Sequence, residues 1–255
     1  QISSCEVCGS NILHSVLDLG SHPLCDDLLP IGSNVVCREY PIEIKYCAKC
    51  CTAHQHIQVP KQNLFPKTYH YRSRFTADVV RGMSTIVRKC EEFLGDLAEI
   101  NILDVGCNDG SLLDLFNEKG AKTFGIEPTD AIIDAKGRGH KVFQDYFTPA
   151  WAEKFNANNP KMDSITFTNV FAHIEQLSSV LDALSILIAD RTLLVIENHY
   201  LGAVLEHSQF DTFYHEHPRT YSLNSFNILA DRLGLKIVDF SFPSRYGGNI
   251  RIVMS

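Results

Sequence analysis

The 255-residue sequence predicts an α/β protein: a doubly wound sheet of five parallel strands closed by an antiparallel hairpin, behind a small cysteine-rich module. Three observations lead there. From residue 101 onward, short apolar runs bounded by turn residues alternate with stretches of helical apolar spacing. The last two runs, LKIVDFSFP and NIRIVMS, are joined by only Ser244 to Gly248, a link that forces them antiparallel. Seven of the nine cysteines lie at or before Cys51, which marks a local site at the start of the chain.

Composition narrows the function classes. With 45% hydrophobic and 21% charged residues the chain can bury a sizeable core. A formal net charge of −7 disfavours a sequence-independent nucleic-acid binder, which needs a basic face, so a small-molecule ligand is expected. Apolar runs such as Leu193 to Ile196 fall far short of the roughly 20 residues that cross a bilayer, so no membrane partner is expected. The start lacks a charged segment followed by an apolar one, and a cytoplasmic protein is the expectation. Oligomeric state is not legible.

Residues 1–60 carry Cys5-x-x-Cys8 and Cys47-x-x-Cys50, with 38 residues between the pairs. A two-residue spacer lets both thiolates turn toward one ion, and two such knuckles complete a closed tetrahedral site. The expected metal is zinc in a structural role, because four thiolates leave no open coordination position. The segment HSVLDLGSHPLCDDLLP between the knuckles is expected to loop out, leaving Cys25, Cys37 and Cys51 over. A module this small has little core, so the metal supplies much of its folding free energy.

Residues 61–98 form a helical join. Pro60 and Pro66 break regular structure, and Val79, Val80, Met83, Ile86, Val87 and Phe93 then recur at helical spacing. Ahead of them, Tyr69, Tyr71, Arg72 and Arg74 make an aromatic and basic cluster, read either as a solvated helix start packed on its neighbour or as the seat of an anionic ligand.

Residues 99–255 alternate strand and helix. NILDVG, KTFGIEP, HKVFQDYF, DSITFTNVFAHI and RTLLVIENH are the five strands, followed by the closing hairpin. Parallel strands ending in an antiparallel hairpin match Rossmann-like methyltransferases better than nicotinamide-binding folds.

The turn after the first strand sharpens this. ILDVGCNDG runs from strand to helix and presents backbone N–H groups to a ligand. A dinucleotide fingerprint wants a glycine where Asn108 stands and its third glycine one position beyond Gly110. S-adenosylmethionine carries a sulfonium and no phosphate, so the acidic Asp104 and Asp109 favour it. Gly106, Asn108 and Gly110 are the expected cofactor turn, and Glu127 in GIEP stands where a carboxylate accepts the ribose hydroxyls. Asp145 and Tyr146 after the third strand, and Asn169 near the end of the fourth, are cofactor contacts or loop residues capping helices.

With the two CxxC pairs, GCNDG, NVFAHI, YHEH and YGGNIR in hand, the chain resembles the nucleotide-sugar C-methyltransferases of deoxysugar biosynthesis. The resemblance covers nearly the whole chain in the same order. It implies a zinc-binding N-terminal domain, an S-adenosylmethionine domain, a nucleotide-linked keto-sugar acceptor, and methylation of a carbon beside the ketone. Members usually continue into a further C-terminal domain. The resemblance puts the base at His217, with Tyr214 and Glu216 beside it.

The residues suit that chemistry. An imidazole of ordinary pKa about 6.5 is a usable base near neutrality, and a carboxylate can orient it. Because a ketone's α-proton is far less acidic than an imidazolium, the oxyanion needs stabilising too; Tyr214, His173 and Tyr71 are the candidate donors. His215 and His217 alternatively form an HxH metal pair. Gly247 and Gly248 are hairpin turn residues, and Arg251 is either a surface strand residue or a diphosphate contact. The other function classes are methyl transfer to oxygen or nitrogen, and a non-catalytic protein working through its zinc module.

Overall fold

The computed structural model describes residues 1–65 and 71–255. In chain order the elements are β1 (His14–Pro23), β2 (Glu39–Cys47), β3 (Thr52–Gln55), α1 (Lys61–Leu64), α2 (Ala77–Leu94), β4 (Asn101–Val105), α3 (Ser111–Asn117), β5 (Lys122–Ile126), α4 (Ile132–Gly137) and β6 (Lys141–Phe143). There follow α5 (Pro149–Asn158), β7 (Ser164–Thr168), α6 (Leu177–Leu187), β8 (Leu193–His199), α7 (Leu201–Glu206), β9 (Arg219–Thr220), α8 (Leu223–Leu233), β10 (Ile237–Ser241) and β11 (Asn249–Met254).

The larger sheet has the order β10-β11-β8-β7-β4-β5-β6. The five strands from β6 to β8 are parallel, and β11 runs against both β8 and β10. The predicted strands and hairpin are thus present, although the third strand is only three residues long. Both faces are covered, which is why the strands read as near-continuous apolar runs. One face packs Val79, Met83, Ile86, Val87 and Cys90 of α2 with Ile102, Leu112 and Val253. On the other, Trp151, Phe155, Leu181 and Phe226 close over Leu103, Ile165 and Ile252. Phe93, counted among the apolar helix positions, stands exposed.

Strand order reverses between the parallel neighbours β4 and β7, and the crevice beyond the carboxyl ends of these strands is where open α/β sheets take ligands. Gly106 and Val170 meet there: a Cβ on Gly106 would come within 2.5 Å of Val170 Cγ2, and the residue's φ is +73°. Glycine is required at this point of the turn.

The smaller sheet has the order β1-β2-β3-β9. Much of the segment expected to loop out between the knuckles is instead strand β1, which pairs with β2 from His14 to Pro23; residues 24–38 have no regular structure. The fourth strand comes from the other end of the chain: Ala53 pairs with Thr220 and His54 with Arg219. Helix α8 is docked onto the module as well, since its capping box of Ser222 and Ser225 reaches the Cys50 carbonyl at 3.2 Å from each hydroxyl.

Candidate functional site

The four cysteines predicted as ligands lie together, with all four sulfurs within 4.8 Å of one another. Cys5 Sγ is 3.3 Å from Cys50 Sγ, and Cys8 Sγ is 3.6 Å from Cys47 Sγ. A tetrahedral zinc with Zn–S bonds of about 2.3 Å has sulfur–sulfur edges of about 3.8 Å, so the set fits this ion. The Cys5 sulfur and burial push the Cys50 thiol far up, a conflict that a divalent cation resolves by taking all four as thiolates. Beyond the ligands, His54 Nε2 meets Cys5 Sγ at 3.3 Å, the kind of outer partner that orients a metal ligand.

From the cysteine cluster a chain of contacts leads to the loop 213–221. Glu6, between the first two cysteines, is paired with the fully buried Arg219, whose Nε donates to the Tyr221 hydroxyl at 3.0 Å. Gln55 Nε2 donates to the Tyr214 carbonyl at 2.9 Å, and the Gln55 N–H to the Pro218 carbonyl at 2.9 Å. Cys25, one of the leftover cysteines, donates its thiol to Glu216 Oε1 at 2.8 Å. The loop that carries the histidines is therefore built against the cysteine module.

A cavity of about 720 Å³ opens at the crevice, large enough for a nucleoside-sized ligand and a second small molecule. Gly106, Asn108, Glu127, Asp145 and Asn169 line it together with Tyr71, His173, Tyr214, Glu216 and His217. Gly110 does not: at φ +81° it is the N-cap of α3, where a Cβ would crowd Ala135 at 2.9 Å. Asn108 adopts the left-handed conformation, φ 48°, that the absent glycine would have supplied, and asparagine tolerates it. Its side chain holds the preceding segment over the turn, Oδ1 accepting from Ser73 N at 3.0 Å and Nδ2 donating to Tyr71 O at 3.1 Å. Glu127 accepts from Asn108 N at 3.2 Å and from Thr129 N at 2.9 Å, and burial raises its pKa.

The acidic turn works differently from its reading in the sequence. Asp104 is buried in β4, where burial pushes it up to about 7 and Thr166 donates to it at 2.7 Å. Asp109 accepts from Ser111 N and Oγ and from Arg74 N, and pairs with Arg138 at 3.7 Å. Neither lines the cavity; the carboxylates that do are Glu127, Asp145, Glu175, Asp211 and Glu216, against one cation among the described residues, Lys61. That balance suits a sulfonium. Arg72 and Arg74 are both engaged by Asp134, at 2.8 and 3.1 Å, which ties their segment to α4. Tyr71 lines the cavity, while Tyr69 lies outside the described residues.

At the other end of the cavity the rings of His173 and His199 stand 4.8 and 4.9 Å from that of His217, and Tyr214 stands 4.3 Å from it. His217 Nδ1 is 2.9 Å from the Thr212 carbonyl. A carbonyl only accepts, so Nδ1 carries the proton and Nε2 keeps a lone pair. His173 is fixed in the same tautomer by the Glu216 carbonyl, 2.9 Å from its Nδ1. Burial, with the other two histidines second, holds His217 well below the usual histidine range, and burial brings His173 down to about 4. Both are neutral at neutral pH.

His199 was missed in the sequence. It has no motif around it, and only its place as the last residue of β8, at the ligand edge of the sheet, marks it. The HxH metal reading is overturned: His215 Nε2 bonds the Tyr40 carbonyl at 2.9 Å, and the metal-competent groups among the described residues are the four cysteines and the trio Cys25, Asp26 and Glu216. Arg251 is neither surface residue nor diphosphate contact, because it is buried with its Nε 2.8 Å from Glu197 Oε2. Gly247 and Gly248 are turn residues with φ of +77° and +138°.

The sequence matches a family model described as a methyltransferase domain over residues 70–239, and one for a zinc binding domain over residues 5–65. It is similar to C-methyltransferase NovU of Streptomyces niveus, with 28% identity over an alignment of 254 residues that covers 98% of this chain and 60% of that protein. The chain thus spans 60% of the length of this relative. Among solved structures, magnesium protoporphyrin IX methyltransferase from Synechocystis with bound SAM superposes with a TM-score of 0.52 at 16% identity, covering 69% of this chain and 78% of that one. A SAM-dependent methyltransferase from Archaeoglobus fulgidus gives a TM-score of 0.56 at 14% identity, covering 69% of this chain and 93% of the other. At such identities the likeness is one of fold.

Proposed function

The chain belongs to the methyltransferase family, with a zinc-binding module ahead of its sheet, and from that premise we propose that it is an S-adenosylmethionine-dependent C-methyltransferase acting on a nucleotide-linked keto-deoxysugar. The glycine turn, Glu127, Asp145 and Asn169 hold the cofactor, which when bound supplies an electrophilic methyl group. The chain's own residues prepare the acceptor carbon.

The observation that carries this reading is the fixed tautomer of His217. Its Nδ1–H is committed to the Thr212 carbonyl, so the lone pair of Nε2 is available within the cavity shared with the glycine turn. This is the geometry of a general base. Nε2 takes a proton from the carbon beside the ketone, the C–H electron pair becomes the enolate double bond, and the carbonyl pair moves onto oxygen. Transfer to an oxygen or nitrogen acceptor would need one base and no oxyanion stabilisation, whereas this end of the cavity gathers three histidines and a tyrosine. The one cation that lines the cavity among the described residues is Lys61, so the reading made here concerns the sugar end of the acceptor.

Solvent exchange tests it. In D2O with demethylated cofactor present, the protein should exchange the α-proton of a nucleoside-diphosphate 4-keto-6-deoxyhexose, probed in thymidine and uridine forms. Methyl transfer to any acceptor without such exchange would assign the protein to oxygen or nitrogen methylation instead.

A further inference from the structure

Three histidines crowd the acceptor end of the cavity, and they are not equivalent. His173 and His217 each have Nδ1–H tied to a backbone carbonyl. Held neutral with its one ring proton committed to the Glu216 carbonyl, His173 has no N–H to donate to an oxyanion, which removes it from the donors expected from sequence. The Tyr71 hydroxyl is engaged by that of Tyr246, one of the causes, after burial, that push Tyr71 up. His199 differs from all of these. Among the described residues its ring nitrogens make no hydrogen bond, it is half-buried, and it lines the cavity.

Its surroundings fix the ring without using its nitrogens. One side lies 4.9 Å from the His217 ring and another 5.3 Å from Tyr246. Tyr246 is held at φ 51°, a left-handed conformation costly for a bulky residue and one that concentrates at functional sites. Burial, and next the Arg245 guanidinium, bring His199 down to about 4, so near neutrality it carries one ring proton and no charge. A neutral imidazole suits an enolate better than an imidazolium does, because it lends a hydrogen bond without handing over a proton that would quench the nucleophile; neutral histidines serve as electrophiles in other enolising enzymes.

We propose that His199 is a catalytic residue of this site, its ring N–H donating to the acceptor's ketone oxygen while His217 Nε2 takes the proton from the neighbouring carbon. The assignment rests on the enolisation proposed above. The C–H pair becomes the new double bond, the carbonyl pair moves to oxygen, the proton resides on His217, and His199 keeps its own. Base and donor sit on adjacent rings, as the α-carbon and the carbonyl oxygen of one ketone require.

The same exchange assay separates the outcomes. His199→Phe keeps the ring packing and removes the donor; it should bind S-adenosylmethionine within about twofold of the parent protein and lose about 10²–10³-fold in exchange rate, the cost of a lost oxyanion donor. His199→Gln restores an N–H and should recover at least about tenfold of that loss, a rescue that a purely packing role would not give. If His199→Phe also loses cofactor binding, His199→Leu replaces it under the same criteria. Exchange by the donor-free variant at close to the parent rate overturns the role of His199 alone. A parent protein that exchanges neither probe overturns the enolisation reading and this assignment with it.

Discussion

Gln55 donates its side-chain amide to the backbone carbonyl of Tyr214 across 2.9 Å, joining the strand beside the cysteine cluster to the loop that holds His217. The neighbouring contacts make this a system. His54 bonds Cys5 with one ring nitrogen, and β3 pairs with β9 through that same residue. The metal module is thereby the floor on which the loop is laid, and its order reaches the cavity through paired backbone and a buried arginine.

Removal of the metal should therefore be felt at the far end of that chain of contacts. Apparent binding free energies of about 10–16 kcal/mol for structural zinc in small modules are folding free energies. We expect one zinc per chain by elemental analysis. A strong chelator should expose residues 1–60 to limited proteolysis and lower turnover at least about tenfold, with S-adenosylmethionine affinity less affected. A stripped protein with unchanged turnover would uncouple module and loop.

Gly106→Ala places a methyl group 2.5 Å from Val170 Cγ2 in a backbone conformation of φ +73°. The left-handed conformation alone costs about 1–2 kcal/mol for an L-residue, and the clash adds to it. Cofactor affinity by calorimetry should fall at least about tenfold. Adding Val170→Ala should recover part of the loss and no more, since it relieves the contact and leaves the dihedral. Full recovery would mean that φ at this position costs nothing.

The central strands were legible in the sequence because burial on both faces makes them unbroken apolar runs that end at Gly106, Glu127 and Asn169. What escaped lacks local signal. Strand β1 has no residue fully buried, so its pattern shows no periodicity. Strand β9 is two residues long and pairs with a segment from the opposite end of the chain, a contact that no window of sequence contains. The residues expected at the two ends of the site, apart from Gly110, share one cavity because motif spacing reports which strand end they follow. Charge was misread for a related reason: at Asp109 the carboxylate is spent on Ser111 and on the Arg74 N–H, partners that spacing does not reveal.

Glu197 should prove the most expensive single carboxylate to neutralise. It is fully buried and accepts from Arg245 Nη1 at 2.9 Å, Arg251 Nε at 2.8 Å and Asn249 Nδ2 at 3.1 Å. Glu197→Gln keeps the shape, removes the carboxylate paired with the buried Arg251, and leaves the buried Arg245 only Asp78, 4.0 Å away. Breaking a buried pair from one side costs about 3–5 kcal/mol. Urea denaturation should show a loss of that size with an unchanged m-value, and a loss below about 1 kcal/mol would show that the arginines find solvent or other partners.

The last prediction concerns acid. His217→Asn should retain S-adenosylmethionine binding and lose about 10²–10⁴-fold in turnover, the range for a positioned general base. The pH dependence follows from the sign of the shift. Burial lowers the pKa of His217 in the folded protein, so its basic form is fully present at neutrality, and kcat/KM should stay flat from pH 8 to below the ordinary histidine value of about 6.5. Stability moves in the same sense. His173 and His199 are brought from 6.5 to about 4, so between these values the unfolded chain binds the protons that the folded one refuses. Their neutral burial contributes fully above 6.5, and the contribution is lost as pH falls through about 4, so Tm should decline across that interval. An acid limb in kcat/KM centred near 6.5 would show that His217 titrates as an exposed histidine and is not the buried base.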